Sequence, residues 1–464
     1  MIGSNAIIAD CRFTSAVSRF TTKFTEMKKT VVYFLTAITL VASCRKDDNH
    51  AFNQSPDERI NATLKSAQAA LSGSAYGWNA NLVTGGGGNY RFYFSFNDSN
   101  RVQMYSDWDS TTATVIKESS YRLKALQQPS LIFDTYSYIH ILSDPDASVN
   151  NGAYGAGLKS DFEFRIDTVT TDSISLTGRF NGSKLSLRKA AQPDRAMWEN
   201  KQITNGVVNF RNFWKFLLYF KRLSYGGTQY ELQFDSTVKK VTVSWTAGGG
   251  TNTVTRGYYF WANGVYFTDA IINGSQTVPG FSITGFNAAT QTMNVTVNGS
   301  AATITGFNAP VNPDVKDAPS RWWSFGAASD YYWISFNGFH INGVDDAYNL
   351  KSLKNDTSNY YFLLYKPNTN GIDAFFDMYL DSVRNDIAPI AQTFVTMVTT
   401  PSTGRTRFSQ YQERVSWGTT GPGASTYTQF LNSGGYYFVQ SSANSYDMVS
   451  TTDAKIWLTW VWLF

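Results

Sequence analysis

The chain has few of the residues on which many functional sites depend. Of its 464 residues, two are cysteines (Cys11 and Cys44) and three are histidines (His50, His140 and His340). Both cysteines precede the segments that look folded, so we expect no disulfide within a domain, and stability must come from core size and sheet pairing. The chain also lacks HExxH and cysteine-rich zinc patterns. We therefore predict neither a metal site nor a cofactor.

Charged residues are also scarce, at 16% against about 25% in an ordinary globular domain. The formal net charge is +4, and residues 1–43, with five basic and two acidic side chains, contribute +3 of it. The remaining chain is nearly neutral and lacks the excess of basic residues that nucleic-acid binding requires. We therefore expect no nucleic-acid partner.

Aromatic residues, by contrast, are abundant at 16%, which is typical of strand-rich proteins. Six segments of the first half alternate apolar and polar residues with a period of two, as half-buried antiparallel strands do. They are residues 89–98, 101–108, 119–126, 161–169, 173–180 and 184–190. This pattern predicts a mainly β fold, all-β with minor α, built of antiparallel sheets in sandwich or barrel-like domains.

Two stretches favour helix instead. Ser55 and Pro56 are a suitable N-cap and first residue for an amphipathic helix that ends near Leu71. Residues 207–223 (VVNFRNFWKFLLYFKRL) are densely apolar and are predicted to form a helix packed on a sheet. Basic residues among aromatics leave two alternatives for this second stretch, a surface for single-stranded nucleic acid or a helix at a membrane surface.

The hexapeptide ITGFNA occurs twice, at residues 283–288 and 304–309. One recurrence is too few for a solenoid, so we interpret the pair as two similar strand ends of one sheet. The predicted division of the chain follows from these patterns. It comprises a gene-model extension (1–26), a signal peptide (27–43), a tether (44–54), a helix plus β-sheet domain (55–195), a central β domain (196–310) and an aromatic-rich β domain (311–464).

The predicted signal peptide begins at Met27 with two lysines, followed by about a dozen apolar residues, the proportions of a secretory signal. It ends in Val-Ala-Ser-Cys, which resembles a bacterial lipobox, with cleavage between Ser43 and Cys44 and lipid attachment at Cys44. An ordinary signal with an incidental cysteine is the alternative. Next come Lys46, Asp47 and Asp48, a candidate surface-export signal, or else a solvated charge run. We expect a lipid-anchored outer-membrane protein exposed at the cell surface.

A cluster of aromatic residues near position 330 is the strongest candidate for ligand binding. Flat rings on a sheet surface can stack on sugars, and the candidates here are Trp322, Trp323, Tyr331 and Trp333. The alternative is that these rings pack in the core of an aromatic-rich sheet.

Other polar residues give weaker signals, and no catalytic residue is assigned. His140 lies between apolar neighbours and is expected to be a hydrogen-bonded structural residue. Asp144, Asp146, Ser148 and Asn150 alternate oxygen-bearing side chains, which loosely suits calcium, but a polar loop is favoured. A glycosidase would need two facing carboxylates, and Asp107, Asp109, Asp345 and Asp346 are the candidates.

Three segments together resemble a known family. FNQSPDERINATLKSAQAAL, LIFDTYSYIHILSDPD and GLKSDFEFRIDTVTTDSISLTGRF resemble a Bacteroidetes surface lipoprotein family defined by a domain of unknown function (number 4302), over about residues 52–190. The resemblance implies an accessory of outer-membrane nutrient transporters and carries no catalytic residues. We expect a non-enzymatic surface lipoprotein that binds a glycan or peptide ligand or supports its uptake. A structural or adhesive envelope protein and a hydrolase with a carboxylate pair are the alternatives.

Overall fold

The computed structural model describes residues 55–313, 317–327, 332–355, 357–368 and 372–463. Antiparallel strands dominate this part of the chain, and the predicted mainly β class with barrel-like sheets and an N-terminal helix is confirmed. The predicted extension, signal peptide and tether, with Ser43, Cys44, Lys46, Asp47 and Asp48, lie outside the described residues. No helix in the described ranges is long and apolar enough to cross a membrane.

Helix α1 (Pro56–Ser72) begins where the sequence predicts. The Ser55 side chain accepts a hydrogen bond from the Glu58 amide at 3.2 Å, and the Glu58 carboxylate accepts one from the Ser55 amide at 2.8 Å. This reciprocal pair satisfies two amides that the helix itself leaves without partners. Farther along, Ala67 and Leu71 are buried in the core of the first sheet, and the Trp78 indole donates to the Leu71 carbonyl at 3.0 Å.

The first sheet is a closed barrel of eight strands paired in sequence order, with β1 also paired to β8. We call it the first barrel. Inward residues such as Phe92, Phe94 and Phe133 are buried and fill its interior. Its strands are β1 (Trp78–Val83), β2 (Asn89–Phe96), β3 (Arg101–Ser106), β4 (Lys117–Ala125), β5 (Pro129–Phe133), β6 (Glu163–Val169), β7 (Ser173–Gly178) and β8 (Lys184–Lys189). Two short helices, α2 (Tyr138–Ile141) and α3 (Ala147–Asn150), lie between β5 and β6.

The second barrel is also closed, again by pairing of its first and last strands. Helices α4 (Gln192–Glu199) and α5 (Gln202–Phe210) and a 3₁₀ helix (Arg211–Lys215) precede it. Its strands are β9 (Phe220–Tyr225), β10 (Thr228–Asp235), β11 (Lys240–Ala247), β12 (Gly250–Trp261), β13 (Gly264–Asn273), β14 (Gln276–Asn287), β15 (Thr292–Val297) and β16 (Ser300–Phe307). The ITGFNA copies lie on β14 and β16 and flank β15, so the expectation of two similar strand ends in one sheet is confirmed.

The prediction of one helix over residues 207–223 is wrong in its extent. The α-helix ends at Phe210, the 3₁₀ helix follows, and β9 begins at Phe220. Phe213 and Phe216 are buried in the core of the second barrel, whereas Leu223 lies in strand β9 between β10 and β16. Aromatic residues occur both in a helix that packs into a barrel core and in a strand. The high proportion of apolar residues in this stretch therefore did not reveal where helix changes to strand.

The third sheet is aromatic-rich and is also closed, because β17 pairs with both β20 and β26. The two short strands β18 and β19 pair with β26 and β20, respectively, and helix α7 (Gly421–Phe430) lies between β23 and β24. Its strands are β17 (Tyr332–Ser335), β18 (His340–Ile341), β19 (Lys354–Asn355), β20 (Ser358–Lys366), β21 (Asp373–Asp381), β22 (Asp386–Thr400), β23 (Arg405–Val415), β24 (Tyr436–Ser442), β25 (Ser445–Ser450) and β26 (Ile456–Leu463). A second 3₁₀ helix spans Leu350–Ser352.

Helix α6 (Asp317–Ala327) precedes the third sheet. Gly326 in this helix lies so close to Pro367 and the Trp333 ring that an added Cβ would stand 2.5 Å from the proline. Only glycine, which has no side chain, fits at this close approach of the helix to Pro367 and Trp333.

The three sheets lie within the three predicted β domains, but residues 60–464 pack as one compact unit. A buried ion pair joins the first two barrels, with Lys239 Nζ 2.6 Å from Asp107 Oδ1. The same carboxylate accepts hydrogen bonds from the amides of Arg91 at 2.8 Å and Phe260 at 3.1 Å. Each barrel therefore supplies part of one polar junction.

Candidate binding cleft

A cleft of about 580 Å³ lies between the second barrel and the third sheet. The two bodies meet beside it, where Tyr219 and Phe220 pack against Tyr437 and Trp457. The Gln233 side chain also donates to the Gln440 carbonyl across the junction at 2.6 Å. The walls of the cleft combine aromatic, hydroxyl and charged side chains. Among them are Phe213, Trp214, Tyr219, Lys221, Glu231, Asp235, Thr242, Ser244, Thr253, Arg321, Tyr437, Ser441, Ser445, Asp447 and Trp457.

Trp214 provides an aromatic surface in this cleft. It lies in the 3₁₀ helix and is 50% exposed. The ring stands edge-on against Phe213 and Phe210, at centroid distances of 5.6 and 6.1 Å. These two phenylalanines are buried, so they fix the indole in position while half of its surface remains open to solvent.

Hydroxyl groups form another part of the cleft wall. On the paired strands β11 and β12, the hydroxyls of Ser244 and Thr253 are 2.9 Å apart. On the third sheet, the Ser445 hydroxyl is 3.0 Å from that of Ser441. Since a hydroxyl both donates and accepts, each pair keeps capacity for a further hydrogen bond.

The acidic groups of the cleft already have partners. Asp447 accepts from the Tyr219 hydroxyl at 2.6 Å and from the Thr459 hydroxyl at 2.7 Å. Glu231 accepts from the Val311 amide at 2.9 Å and forms an ion pair with Arg222 at 3.2 Å. Burial raises the pKa of both carboxyl groups, and these partners oppose that rise.

Lys221 is the exception among the charged groups. The residue is 8% exposed, and its Nζ lies 5.3 to 5.9 Å from the ring centroids of Phe213, Trp214 and Tyr219. No described residue accepts a hydrogen bond from this ammonium or lies within ion-pair distance. Burial lowers its pKa to about 8, partly opposed by Asp447, so the group is still mainly charged at neutral pH.

The aromatic residues predicted as a ligand surface occupy other positions. Trp322 and Trp333 are fully buried, so the expectation of exposed stacking faces is wrong for both. The Trp322 ring stacks on Tyr365 at 4.2 Å and lies 4.4 Å from Phe438. Residues 322 and 323 belong to a helix rather than a strand, and the helix directs Trp322 into the core. Trp323 is half-buried and donates to Asp373 at 3.1 Å. Tyr331 lies outside the described residues.

His140 has the predicted structural role. Its Nδ1 accepts from the Ser137 amide at 3.1 Å, which leaves Nε2 to donate to the Phe133 carbonyl at 3.1 Å. Burial lowers the pKa of this histidine. Because both ring nitrogens are occupied, His140 stabilises the turn after β5.

The loop considered for calcium uses its oxygens internally. Asp146 caps helix α3 by accepting from the Ser148 amide at 2.9 Å. Asp144 accepts from the Tyr136 hydroxyl at 2.6 Å, and the Asn150 amide donates to the Ile141 carbonyl at 2.8 Å. These bonds are those of a polar loop, the favoured interpretation.

The four candidate carboxylates are also in local contacts. Asp107 pairs with Lys239, and Asp109 accepts from the Thr112 amide at 2.7 Å. Asp346 accepts from the Leu350 amide at 2.8 Å, and Asp345 lies 2.5 Å from His340 Nδ1. The contacts of Asp107, Asp109 and Asp346 stabilise a junction, a turn and a 3₁₀ helix, respectively.

The sequence did not single out Trp214 and Lys221 as candidate site residues. Both lie in the stretch 207–223, where basic residues interrupt aromatic ones. Arg211 and Lys215 are exposed, whereas Lys221 is buried. The available signal was a basic residue in an apolar stretch, but the sequence alone does not show which of the three basic residues is buried.

Solved structures offer only remote similarities. The octameric penicillin-binding protein homologue from Pyrococcus abyssi aligns over 33% of this chain and 37% of its own length, with 8% identity and a TM-score of 0.14. The DNA polymerase III subunit beta from Pseudomonas aeruginosa aligns over 87% of this chain and 98% of its own, with 10% identity and a TM-score of 0.12. Scores this low carry no argument about fold or function. No curated protein matches the chain.

One family model does match. It spans residues 48–285, which is 238 of the 464 residues and covers α1, the first barrel and most of the second barrel. The match extends well beyond the segments on which the sequence resemblance rests. The chain therefore belongs to the family described as "Domain of unknown function (DUF4302)".

Proposed function

We propose that this chain is a Bacteroidetes cell-surface lipoprotein that binds a glycan in the cleft and supports uptake of the glycan by an outer-membrane transporter. The observation that carries the ligand class is the half-exposed Trp214 ring, which packs against buried phenylalanines in a cleft that is also lined by hydroxyl groups. A sugar ring has an apolar face that suits an indole and hydroxyls that pair with such a wall. The carboxylates of Asp447, Glu231 and Asp235 in the cleft already accept hydrogen bonds from the protein, which favours binding over hydrolysis by a carboxylate pair.

The proposed location rests on the sequence alone. The charged start, the apolar run and the Ser43–Cys44 cleavage site support lipid anchoring at Cys44, and Lys46, Asp47 and Asp48 support export to the outer surface. A lipid-anchored binding protein would concentrate its ligand beside a transporter without crossing the membrane itself.

The test is a glycan array on the purified full chain, followed by calorimetry with the oligosaccharides that bind. We expect Trp214→Ala to weaken binding by roughly threefold to tenfold, because one aromatic stacking contact contributes about 0.5–1.5 kcal/mol. Tyr154→Ala is the matched control, since this ring is 90% exposed and does not line the cleft.

The control should leave both affinity and thermal stability unchanged. An array on which no glycan binds would refute the proposal. So would equal affinities of the wild-type chain and the Trp214→Ala variant, provided that both unfold at the same temperature.

A further inference from the structure

The charged groups of the cleft are unequally satisfied. Asp447 and Glu231 each have at least two partners, and Asp235 accepts from the Thr237 amide at 3.0 Å. Lys221, on β9 in the same wall, has three N–H donors and no acceptor in the described part of the chain. Asp447 attracts this ammonium only from beyond ion-pair distance. The cleft therefore offers a positive group without a hydrogen-bond or ion-pair partner among the described residues, and its negative groups already accept hydrogen bonds.

A structural role does not explain this lysine. Buried charges in proteins are normally paired, because removing an ion from water without compensation is costly. Three aromatic rings surround the ammonium and supply a weak attraction through their faces. The rings cannot accept a hydrogen bond from the ammonium as a carboxylate would. The carboxylate of Asp447 accepts hydrogen bonds from Tyr219 and Thr459 instead.

We infer that Lys221 anchors an anionic substituent of the bound glycan, so that the ligand of this cleft is an acidic oligosaccharide. The inference rests on the proposed function and narrows its substrate class. Trp214 is 5.9 Å from the ammonium, measured to the ring centroid. One sugar unit could therefore stack on the indole while its carboxylate reaches Lys221. Removing the negative charge of the ligand should weaken its hydrogen bond with Lys221 strongly, because hydrogen bonds between charged groups are stronger than those between neutral groups.

The experiment uses an oligogalacturonate and its methyl ester, in which a methyl group on each carboxyl removes the negative charge and the rest of the sugar is unchanged. Calorimetry on the full chain should give at least about tenfold tighter binding of the acid, since a charge-assisted hydrogen bond is worth about 1.5 kcal/mol or more. This preference should shrink as salt is added. The comparison needs no mutation and so does not depend on the folding of a variant.

Lys221→Met then assigns the effect to this residue. Methionine keeps the length and apolar contacts of the side chain, and the variant should unfold at the same or a higher temperature, because an unpaired buried charge is lost. We expect its affinity for the acid to fall to that for the ester. Lys215→Met is the matched control, because Lys215 is exposed on the neighbouring 3₁₀ helix, and this variant should keep the preference.

The outcomes separate the two proposals. If acid and ester bind equally and Trp214→Ala weakens both, the cleft binds glycans but the role of Lys221 is refuted. A preference for the acid that survives in Lys221→Met also refutes it. If neither sugar nor any other glycan binds, both proposals fall. Binding of an acidic peptide in place of the oligogalacturonate would overturn the assignment to a sugar.

Discussion

Asp377 is a carboxyl group buried inside the third sheet. It lies on β21, is 1% exposed, and its Oδ1 has no hydrogen-bond partner among the residues that the structure describes. Burial raises the pKa of Asp377 to about 7. The folded state therefore favours the protonated form, and ionisation of this group near neutral pH costs stability.

This arrangement predicts a pH dependence with a definite sign. Between about pH 4 and pH 7 the folded chain holds a proton on Asp377 that the unfolded chain has lost, so stability falls as the pH rises through that window. Asp377→Asn does not titrate. Its advantage in the free energy of unfolding should grow from pH 4 to pH 7, to roughly 4 kcal/mol at most, and stay constant above. Denaturant melts at several pH values measure this.

The control for that series is Asp98→Asn, because Asp98 is exposed. Its difference from the wild type should stay nearly flat over the same pH range. A flat difference for Asp377→Asn as well would mean that water reaches the Asp377 carboxyl and that its burial has no energetic consequence.

At the scale of single residues, the sequence shows which residue types are present but not whether each side chain faces the core or the solvent. Trp322 was expected either to stack on a ligand or to pack in the core, and only the fold places it between Tyr365 and Phe438. Trp214 and Lys221 were visible as an aromatic and a cation in one apolar stretch. Their exposure and burial depend on a change from 3₁₀ helix to strand that has no clear local signal.

At the scale of elements, local patterns were sufficient for the first barrel. The period-two segments coincide with β2, β3, β4, β6, β7 and β8, and Ser55 caps α1 as its residue type suggests. Barrel closure was not predictable in the same way. It depends on pairs such as Trp78 with Lys189, which are distant in sequence, and no local pattern specifies a partner across such a distance.

The junction between the first two barrels yields a prediction at this scale. Asp107 is fully buried and Lys239 is 3% exposed. Asp107→Asn would leave Lys239 without its counter-ion, and we expect a loss of roughly 3–5 kcal/mol in stability. The double variant Asp107→Asn with Lys239→Met should regain much of this, because it buries no charge. Chemical denaturation measures both.

An exposed pair provides the comparison. Arg101 and Glu118 are 3.8 Å apart and half exposed, so Glu118→Gln should change stability by less than about 1 kcal/mol. If Asp107→Asn also lowered stability by less than about 1 kcal/mol, or if the double variant were less stable than the single one, the ion pair would not stabilise the junction between the barrels.

At the scale of the whole molecule, the family match and the sheets do not share boundaries. The match ends at residue 285, inside β14, whereas the second barrel closes only through β15 and β16. The cleft combines this barrel with the third sheet, which lies beyond the match. The binding proposals therefore concern this chain, and their extension to other family members requires a comparable third sheet.

The proposed anchor is a prediction about the whole molecule in the cell. The chain contains two cysteines, which makes the assignment simple to test. Cells that express the full chain and are fed labelled palmitate should label the wild type and Cys11→Ala equally, whereas Cys44→Ala should remain unlabelled and leave the membrane fraction. Label retained in Cys44→Ala would exclude Cys44 as the attachment site.

The candidate surface-export signal is tested separately. Replacing Lys46, Asp47 and Asp48 with alanine should preserve labelling and reduce cleavage by protease added to intact cells. Unchanged cleavage would show that these three residues do not direct surface export.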